Sequence, residues 1–78
     1  MNTTTLKDFA AGDRGRVLGF QAGGSAYRRK LLAMGLTPGA ALEVIRVAPL
    51  GDPVEVRVRG TSVSLRRDEA AVLEMART

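Results

Sequence analysis

Apolar and charged residues alternate along the second half of the chain. Every second residue from Val54 to Val58 is a valine, and the residues between them are charged. Such alternation is typical of a strand with one face in the core and the other in solvent. Shorter or less regular apolar runs predict four further strands, and a helical turn is predicted at 66–70, just before the last one. The predicted strands cover residues 14–20, 41–47, 54–59, 62–65 and 71–75.

A helical pattern lies between the first two predicted strands. Tyr27, Leu31 and Met34 recur at the i, i+4 and i+7 spacing of one helix face, which predicts a helix over residues 26–34. Gly35 follows at the position where many helices place a left-handed residue, so we expect the helix to end there.

Five short strands in a chain of 78 residues must curl to bury one apolar face and to hide their edges. We therefore predict one domain, residues 1–78, with a mainly β fold. The predicted architecture is a small SH3-like, partly open β-barrel of about five strands with one short α-helix after the first strand. An OB-like barrel is the close alternative, since it also combines five strands with a helix. OB domains usually place that helix between the third and fourth strands, which favours the SH3-like fold.

The composition excludes several kinds of chemistry. The chain contains no cysteine and no histidine, so thiolate or imidazole metal ligands and the common nucleophile–base pairs are excluded. Its eight carboxylates are scattered over turns and outward strand positions, and we expect them to be solvated surface groups. We therefore predict no catalytic, cofactor-binding or metal-binding residues, and a protein that works by binding and not as an enzyme.

The net charge suggests an anionic partner without identifying it. Twelve basic and eight acidic residues give a formal net charge of +4, which attracts nucleic acid, anionic lipid and acidic protein alike. A small RNA-binding barrel is therefore an alternative, although the chain has only three aromatic residues for base stacking. No apolar stretch is long enough to span a bilayer, and residues 1–6 lack the features of a secretory signal. We expect a cytoplasmic protein that reaches a membrane only through its partner, and self-association is compatible with the sequence.

The basic helix provides one candidate docking surface. Arg28 and Arg29 follow Tyr27 directly, and tyrosine and arginine are residue types that dominate the energetics of protein interfaces. Leu32 and Met34 would extend this surface along the helix. The alternative is an ordinary solvated helix face with Tyr27 turned into the core.

The loop before the third strand provides a second candidate. Leu50 lies between two prolines that stiffen the chain, and an apolar residue at such a tip is explained only if its own barrel or a partner covers it. Gly51, Asp52 and Pro53 complete this candidate. The alternative is a plain hairpin connection.

Two stretches of the chain resemble the bacterial ferrous-iron transport protein A (FeoA) family. Residues 27–39 read Tyr-Arg-Arg-Lys-Leu-Leu-Ala-Met-Gly-Leu-Thr-Pro-Gly, and residues 44–53 read Val-Ile-Arg-Val-Ala-Pro-Leu-Gly-Asp-Pro. The two motifs at this separation are a specific signal, and the similarity extends over nearly the whole chain. The resemblance implies an SH3-like barrel in the cytoplasm.

The resemblance also implies a function. The partner it implies is the cytosolic GTP-binding domain of FeoB, the membrane transporter, and the role it implies is the regulation or assembly of ferrous-iron uptake. The family offers no established active site to transfer, so only the motif positions in 27–34 and 50–53 are carried over, as contact candidates. Binding of a transition metal is a family-level expectation that no ligand residues here support. We therefore expect iron traffic to be influenced through the transporter.

Overall fold

The computed structural model describes residues 4–22 and 24–78. The elements in chain order are a 3₁₀ turn (Leu6–Asp8), β1 (Arg14–Phe20), α1 (Ser25–Ala33), β2 (Ala41–Val47), β3 (Val54–Val58), β4 (Thr61–Leu65), α2 (Arg67–Val72) and β5 (Leu73–Arg77). All five strands pair antiparallel in one sheet of order β4-β3-β2-β1-β5. The predicted mainly β fold, with five strands and a helix after the first, is confirmed.

One hydrophobic core lies inside the curled sheet. The three valines of β3 all point into it and are almost fully buried, as their alternation predicts. The 3₁₀ turn and α1 cover the core with further apolar side chains. The buried apolar residues are Leu6, Phe9, Val17, Leu31, Leu36, Ala40, Leu42, Val44, Val54, Val56, Val58, Leu65, Ala70, Leu73 and Met75.

Two glycines allow β1 to bend and to pass close to its neighbours. A Cβ at Gly15 would lie 2.5 Å from the Ala76 carbonyl oxygen and 2.9 Å from the Phe9 ring, so no larger residue fits without a shift. Gly19 has open space around it, but the β1–β5 register shifts between Val17 and Gly19. A bulge of this kind bends a strand and increases its twist, which curls the sheet.

The last helix and strand are displaced from their predicted positions. The helical turn predicted at 66–70 continues to Val72, and the strand predicted at 71–75 begins at Leu73. Short apolar runs do not distinguish a buried helix from a strand. In the structure, the Val72 carbonyl accepts a hydrogen bond of 2.8 Å from the Gln21 backbone N–H, which ties the end of α2 to the end of β1.

The β3–β4 connection is a two-residue turn, as predicted, but it lies one residue earlier in the chain. Arg59 and Gly60 both have positive φ, 53° and 76°, and Val58 pairs with Thr61 in register. Two such residues form a type I′ hairpin turn, whose twist matches that of the flanking strands. The third strand therefore ends one residue earlier, and the fourth begins one residue earlier, than the sequence pattern predicts.

Candidate functional site

Glycines fix both ends of helix α1. A Cβ at Gly24 would overlap the Val72 side chain, so the absence of one lets the helix begin close against α2. At the other end Gly35 has a φ of 90°. The Gly35 N–H donates to the Leu32 carbonyl at 3.0 Å, and the Leu36 N–H donates to the Leu31 carbonyl at 3.1 Å. This is the complete Schellman pattern, so the glycine marks the helix end as predicted.

The two faces of α1 have different surroundings. Leu31 is fully buried, and Tyr27 and Met34 are half-buried against the core. Arg28 and Arg29 lie on the opposite face and are exposed. The structure therefore divides the helical contact candidates into a core-facing pair, Tyr27 and Met34, and an outward set that also contains Leu32.

An open groove runs beside the outward face of α1. Its cavity measures about 440 Å³. The Arg28 guanidinium lies 5.8 Å from the centre of the Phe20 ring, within the range of a cation–π contact. Leu32 is 36% exposed at the groove wall. We call this feature the helix-side groove; its lining includes Phe20, Gln21, Ser25, Arg28, Leu32 and Pro38.

Sequence reasoning missed the contributions of Phe20 and Pro38 to this groove. Phe20 ends β1, and Pro38 lies in the turn after the helix, where the Ala40 N–H donates to the Thr37 carbonyl at 2.9 Å. The turn is bonded directly to β1, because the Gly39 N–H donates to the Val17 carbonyl at 2.7 Å, and this pairing brings Pro38 to the side of the sheet where Phe20 lies. The one signal in the sequence is that Pro38 belongs to the same motif as the helix.

An ion pair between an exposed lysine and a buried carboxylate holds α1 against α2. The Lys30 Nζ atom lies 2.6 Å from Oε2 of Glu69, whose side chain is only 2% exposed. The Arg66 backbone N–H donates to Oε1 of the same carboxylate at 2.8 Å. Burial raises the pKa of Glu69, but the hydrogen bonds from Lys30 and Arg66 outweigh it and hold that pKa below its ordinary value of 4.5.

Glu69 therefore corrects the expectation that all the carboxylates are solvated surface groups. Its carboxylate caps the start of α2 by accepting from the Arg66 N–H, but arginine is not one of the residue types that mark this capping pattern in a sequence. The pairing of Glu69 with Lys30 has no sequence signal either, because the lysine belongs to a different helix. The ion pair positions the helix that carries the groove.

The proline-flanked loop projects into solvent. Leu50 is 91% exposed, so the barrel does not cover it. The loop is held at its base, where the Ala48 N–H donates to the Pro53 carbonyl at 3.1 Å and the Gly51 N–H donates to the Ala48 carbonyl at 2.8 Å. Asp52 and Pro53 are exposed beside the tip.

The structure does not bring the loop and the helix together. β1 and β2 are antiparallel, with Arg14 opposite Glu43 and Arg16 opposite Ala41. The helix connects the end of β1 to the start of β2, whereas the loop follows the end of β2. The two candidates therefore lie at opposite ends of this strand pair.

The other charged groups are arranged as surface contacts. The Asp13 carboxylate accepts a hydrogen bond from the Ala10 backbone N–H and another from Arg77, and these lower its pKa. The Arg77 guanidinium also lies 4.4 Å from the centre of the Phe9 ring. Within residues 4–22 and 24–78, no three carboxylates come close enough to form a metal site. None of the described helices is long and apolar enough to cross a membrane.

Comparison with known proteins identifies the family to which the chain is similar. The FeoA domain family matches residues 4–76. A curated relative, the Fe(2+) transport protein A/Fe(2+) transporter FeoB fusion protein of Porphyromonas gingivalis, is 36% identical over 70 residues. That match covers 90% of this chain and 8% of the fusion protein, so the chain spans only a small part of its relative.

Two solved structures show the same fold. The FeoA protein of Chlorobium tepidum is 40% identical with a TM-score of 0.82, and the match covers 95% of this chain and 70% of that one. FeoA of Stenotrophomonas maltophilia, solved in complex with zinc and described as a unique procaryotic SH3 domain protein, is 25% identical with a TM-score of 0.80. The latter match covers 94% of this chain and 89% of that one. These likenesses confirm the predicted SH3-like barrel.

Proposed function

The chain belongs to the FeoA family, and on this premise we propose that it is an accessory protein of ferrous-iron uptake. Its partner in this proposal is the cytosolic GTP-binding domain of a FeoB-type membrane transporter. The fusion relative carries transport protein A and the transporter in one chain, and covalent linkage keeps two binding partners at a high effective concentration. A separate chain would reach the same partner by non-covalent binding.

The observation that carries this proposal is the helix-side groove. It places the apolar groups of Phe20, Leu32 and Pro38 beside the Arg28 guanidinium on an open, concave surface. Arginine is one of the residue types enriched at the energetic centres of protein interfaces. The helix is fixed at both ends and by the Lys30–Glu69 pair, so docking there would cost little conformational entropy.

In this proposal the chain acts on the cytoplasmic side by binding, without catalysis of its own. The RNA-binding alternative requires rings on which bases can stack. Phe9 is buried, and Phe20 and Tyr27 are half-buried against the core, so none of the three rings stands free in solvent as a stacking platform. Binding to RNA that falls steeply as salt rises, with no binding to the transporter domain, would favour the alternative.

The test is binding of the purified chain to the transporter's cytosolic GTP-binding domain, measured by calorimetry. Leu32→Arg should weaken binding at least about tenfold, because it places a charge where an apolar side chain would be desolvated. Leu18→Arg is the matched control: Leu18 is 57% exposed on β1 and lies outside the groove. Its affinity should stay within about twofold of the wild type.

Leu50→Asp tests the loop in the same way, with circular dichroism to show that each variant folds. Equal affinity of Leu32→Arg and wild type would exclude the groove, and no binding by the wild-type chain would refute the proposed partner. GTP hydrolysis by the domain, measured with and without the chain, separates regulation from assembly. A changed rate of hydrolysis indicates regulation, and binding without a change in that rate indicates assembly.

A further inference from the structure

The two edges of the sheet are unequally protected. At the β5 edge, the Met75 N–H donates to the Thr4 carbonyl at 2.9 Å, and Thr5 forms a bridge to Glu74. At the other edge, β4 pairs with β3 along one side, and no other strand of residues 4–22 and 24–78 lies along its second side. β4 is therefore an open edge.

The hairpin register shows which backbone groups this edge presents. In a two-residue hairpin the residues that flank the turn form a hydrogen-bonded pair, here Val58 and Thr61. Bonded and non-bonded pairs then alternate along the two strands. Val63 consequently bonds to β3, whereas the N–H and C=O groups of Ser62 and Ser64 point away from it. These two serines offer free donors and acceptors to an incoming strand.

The side chains of β4 do not block this edge. Natural sheets protect open edges with proline, lysine or inward charges, and β4 has none of these. Ser62 and Ser64 are small and exposed. Arg57 lies directly opposite Ser62 in the register, so its long side chain is next to the open edge.

The charge around β4 is strongly positive. Arg57, Arg59, Arg66 and Arg67 are all exposed, and none of them forms an ion pair with another described residue. On β3 and in the first turn of α2 the carboxylates that reach the surface are Glu55, half-buried opposite Ser64, and Asp68, so the four arginines outnumber them. We propose that the β4 edge binds an extended acidic segment of a protein as an added strand.

The same charges disfavour a second copy of this chain at the edge. Two β4 strands paired antiparallel about Val63 would bring Arg66 of each copy beside Gly60 of the other, and Arg67 beside Arg59. Such close like charges oppose association. An acidic strand would instead place its carboxylates near these arginines, and its backbone would satisfy the free groups of Ser62 and Ser64.

The test uses a ten-residue peptide of alternating glutamate and valine as the probe, and a lysine–valine peptide as the control. In the free chain the backbone amides of Ser62 and Ser64 should exchange hydrogen fast. When the acidic peptide is added, their exchange should slow at least about tenfold. Ser64→Pro should weaken peptide binding about tenfold, because it removes one free donor without removing a bond to β3. Ser64→Ala keeps the donor and should bind within about twofold of the wild type.

A charge-reversed variant, Arg66→Glu with Arg67→Glu, provides a second test that leaves the backbone of β4 unchanged; it too should weaken binding about tenfold. Four results would overturn the proposal. Two are binding results: equal affinity for both peptides, or no binding of the acidic one. The other two are protection of the Ser62 and Ser64 amides by a dimer that sedimentation detects, or by an RNA oligonucleotide in place of the peptide. Leu32→Arg should leave peptide binding unchanged, so this test is independent of the helix-side groove.

Discussion

Replacing Lys30 with methionine tests whether a buried carboxylate positions the groove. The lysine ammonium is the charged partner of Glu69, and the only other hydrogen bond described for that carboxylate comes from the Arg66 backbone N–H. Lys30→Met keeps a long, unbranched side chain but leaves a carboxylate that is 2% exposed without its counter-charge. We expect the contact between α1 and α2 to weaken, and with it the wall of the groove.

The magnitude follows from the geometry of the pair. Removing one partner of a fully buried ion pair costs about 3–5 kcal/mol, and losing a hydrogen bond to a charged group costs about 1.5–3 kcal/mol. The Lys30 side chain is 53% exposed, so the lower range applies. We expect Lys30→Met to lower the free energy of unfolding at pH 7 by about 2 kcal/mol, and the melting temperature by about 8–16 °C for a domain of this size.

The effect of pH distinguishes this mechanism from lost packing. In the wild type the pKa of Glu69 is lowered below 4.5, so its stabilising contribution is present above pH 4.5 and is lost as pH falls through the lowered value. In Lys30→Met the desolvation of the carboxylate is opposed only by the hydrogen bond and the charge of Arg66, and the pKa of Glu69 should rise. Protonation then relieves the buried charge. The loss of unfolding free energy relative to the wild type should therefore shrink as the pH is lowered from 7 to about 4.

The assay is urea unfolding followed by circular dichroism across this pH range. Arg29→Met is the matched control, because it removes the same charge from the next position, and no ion pair is described for that arginine. It should change stability by less than about 0.5 kcal/mol. The double variant Lys30→Met with Glu69→Gln should recover most of the loss, since the amide oxygen can still accept from the Arg66 N–H. A loss of stability in Lys30→Met that does not depend on pH, and that persists in the double variant, would refute the reasoning.

Two glycine substitutions test the backbone of the barrel by the same unfolding assay. Gly15→Ala should cost about 1–3 kcal/mol of stability, because its Cβ would overlap the Ala76 carbonyl oxygen and the Phe9 ring. Gly19→Ala is the control, since the space there is open, and it should change stability by less than about 0.5 kcal/mol. Equal effects of the two substitutions would contradict the close approach at Gly15. Gly35→Ala should cost about 1–2 kcal/mol from its φ of 90° alone, since its Cβ would meet nothing closer than 3.6 Å; an unchanged urea midpoint would show that the helix can end differently.

Much of the fold was predictable because its signals are local. The alternating valines of β3 determine one buried face, and Gly35 terminates α1 through its own backbone conformation. The boundary between α2 and β5 was less predictable. Val72 suits a strand by its own preference, but in the structure it ends a helix and packs beside Gly24. That choice is made by tertiary packing, which a short apolar run does not encode.

The candidate site was predictable in its chemistry and less so in its geometry. The sequence indicates that α1 carries arginines and apolar residues, and helical spacing groups Tyr27 with Leu31 and Met34 on one face. Spacing does not show how far each side chain is buried, and in the structure Tyr27 and Met34 pack against the core whereas Leu32 stays outside. Glu69 was unpredictable for a related reason. A glutamate is normally solvated, and only the arrival of Lys30 from a distant part of the chain makes its burial tolerable.

The separation of the helix-side groove from the Leu50 loop has a consequence for stoichiometry. They lie at opposite ends of the β1–β2 pair in a molecule of 26 × 25 × 22 Å, so a partner that contacts only the groove leaves the loop free for another. A chain that used both ends would act as a bridge between two bodies. The abundance of such a bridged complex passes through a maximum as the bridging chain is added. It first rises, and it falls again once each of the two partners carries its own copy of the chain. An excess of this small protein would then inhibit the assembly that a moderate amount promotes.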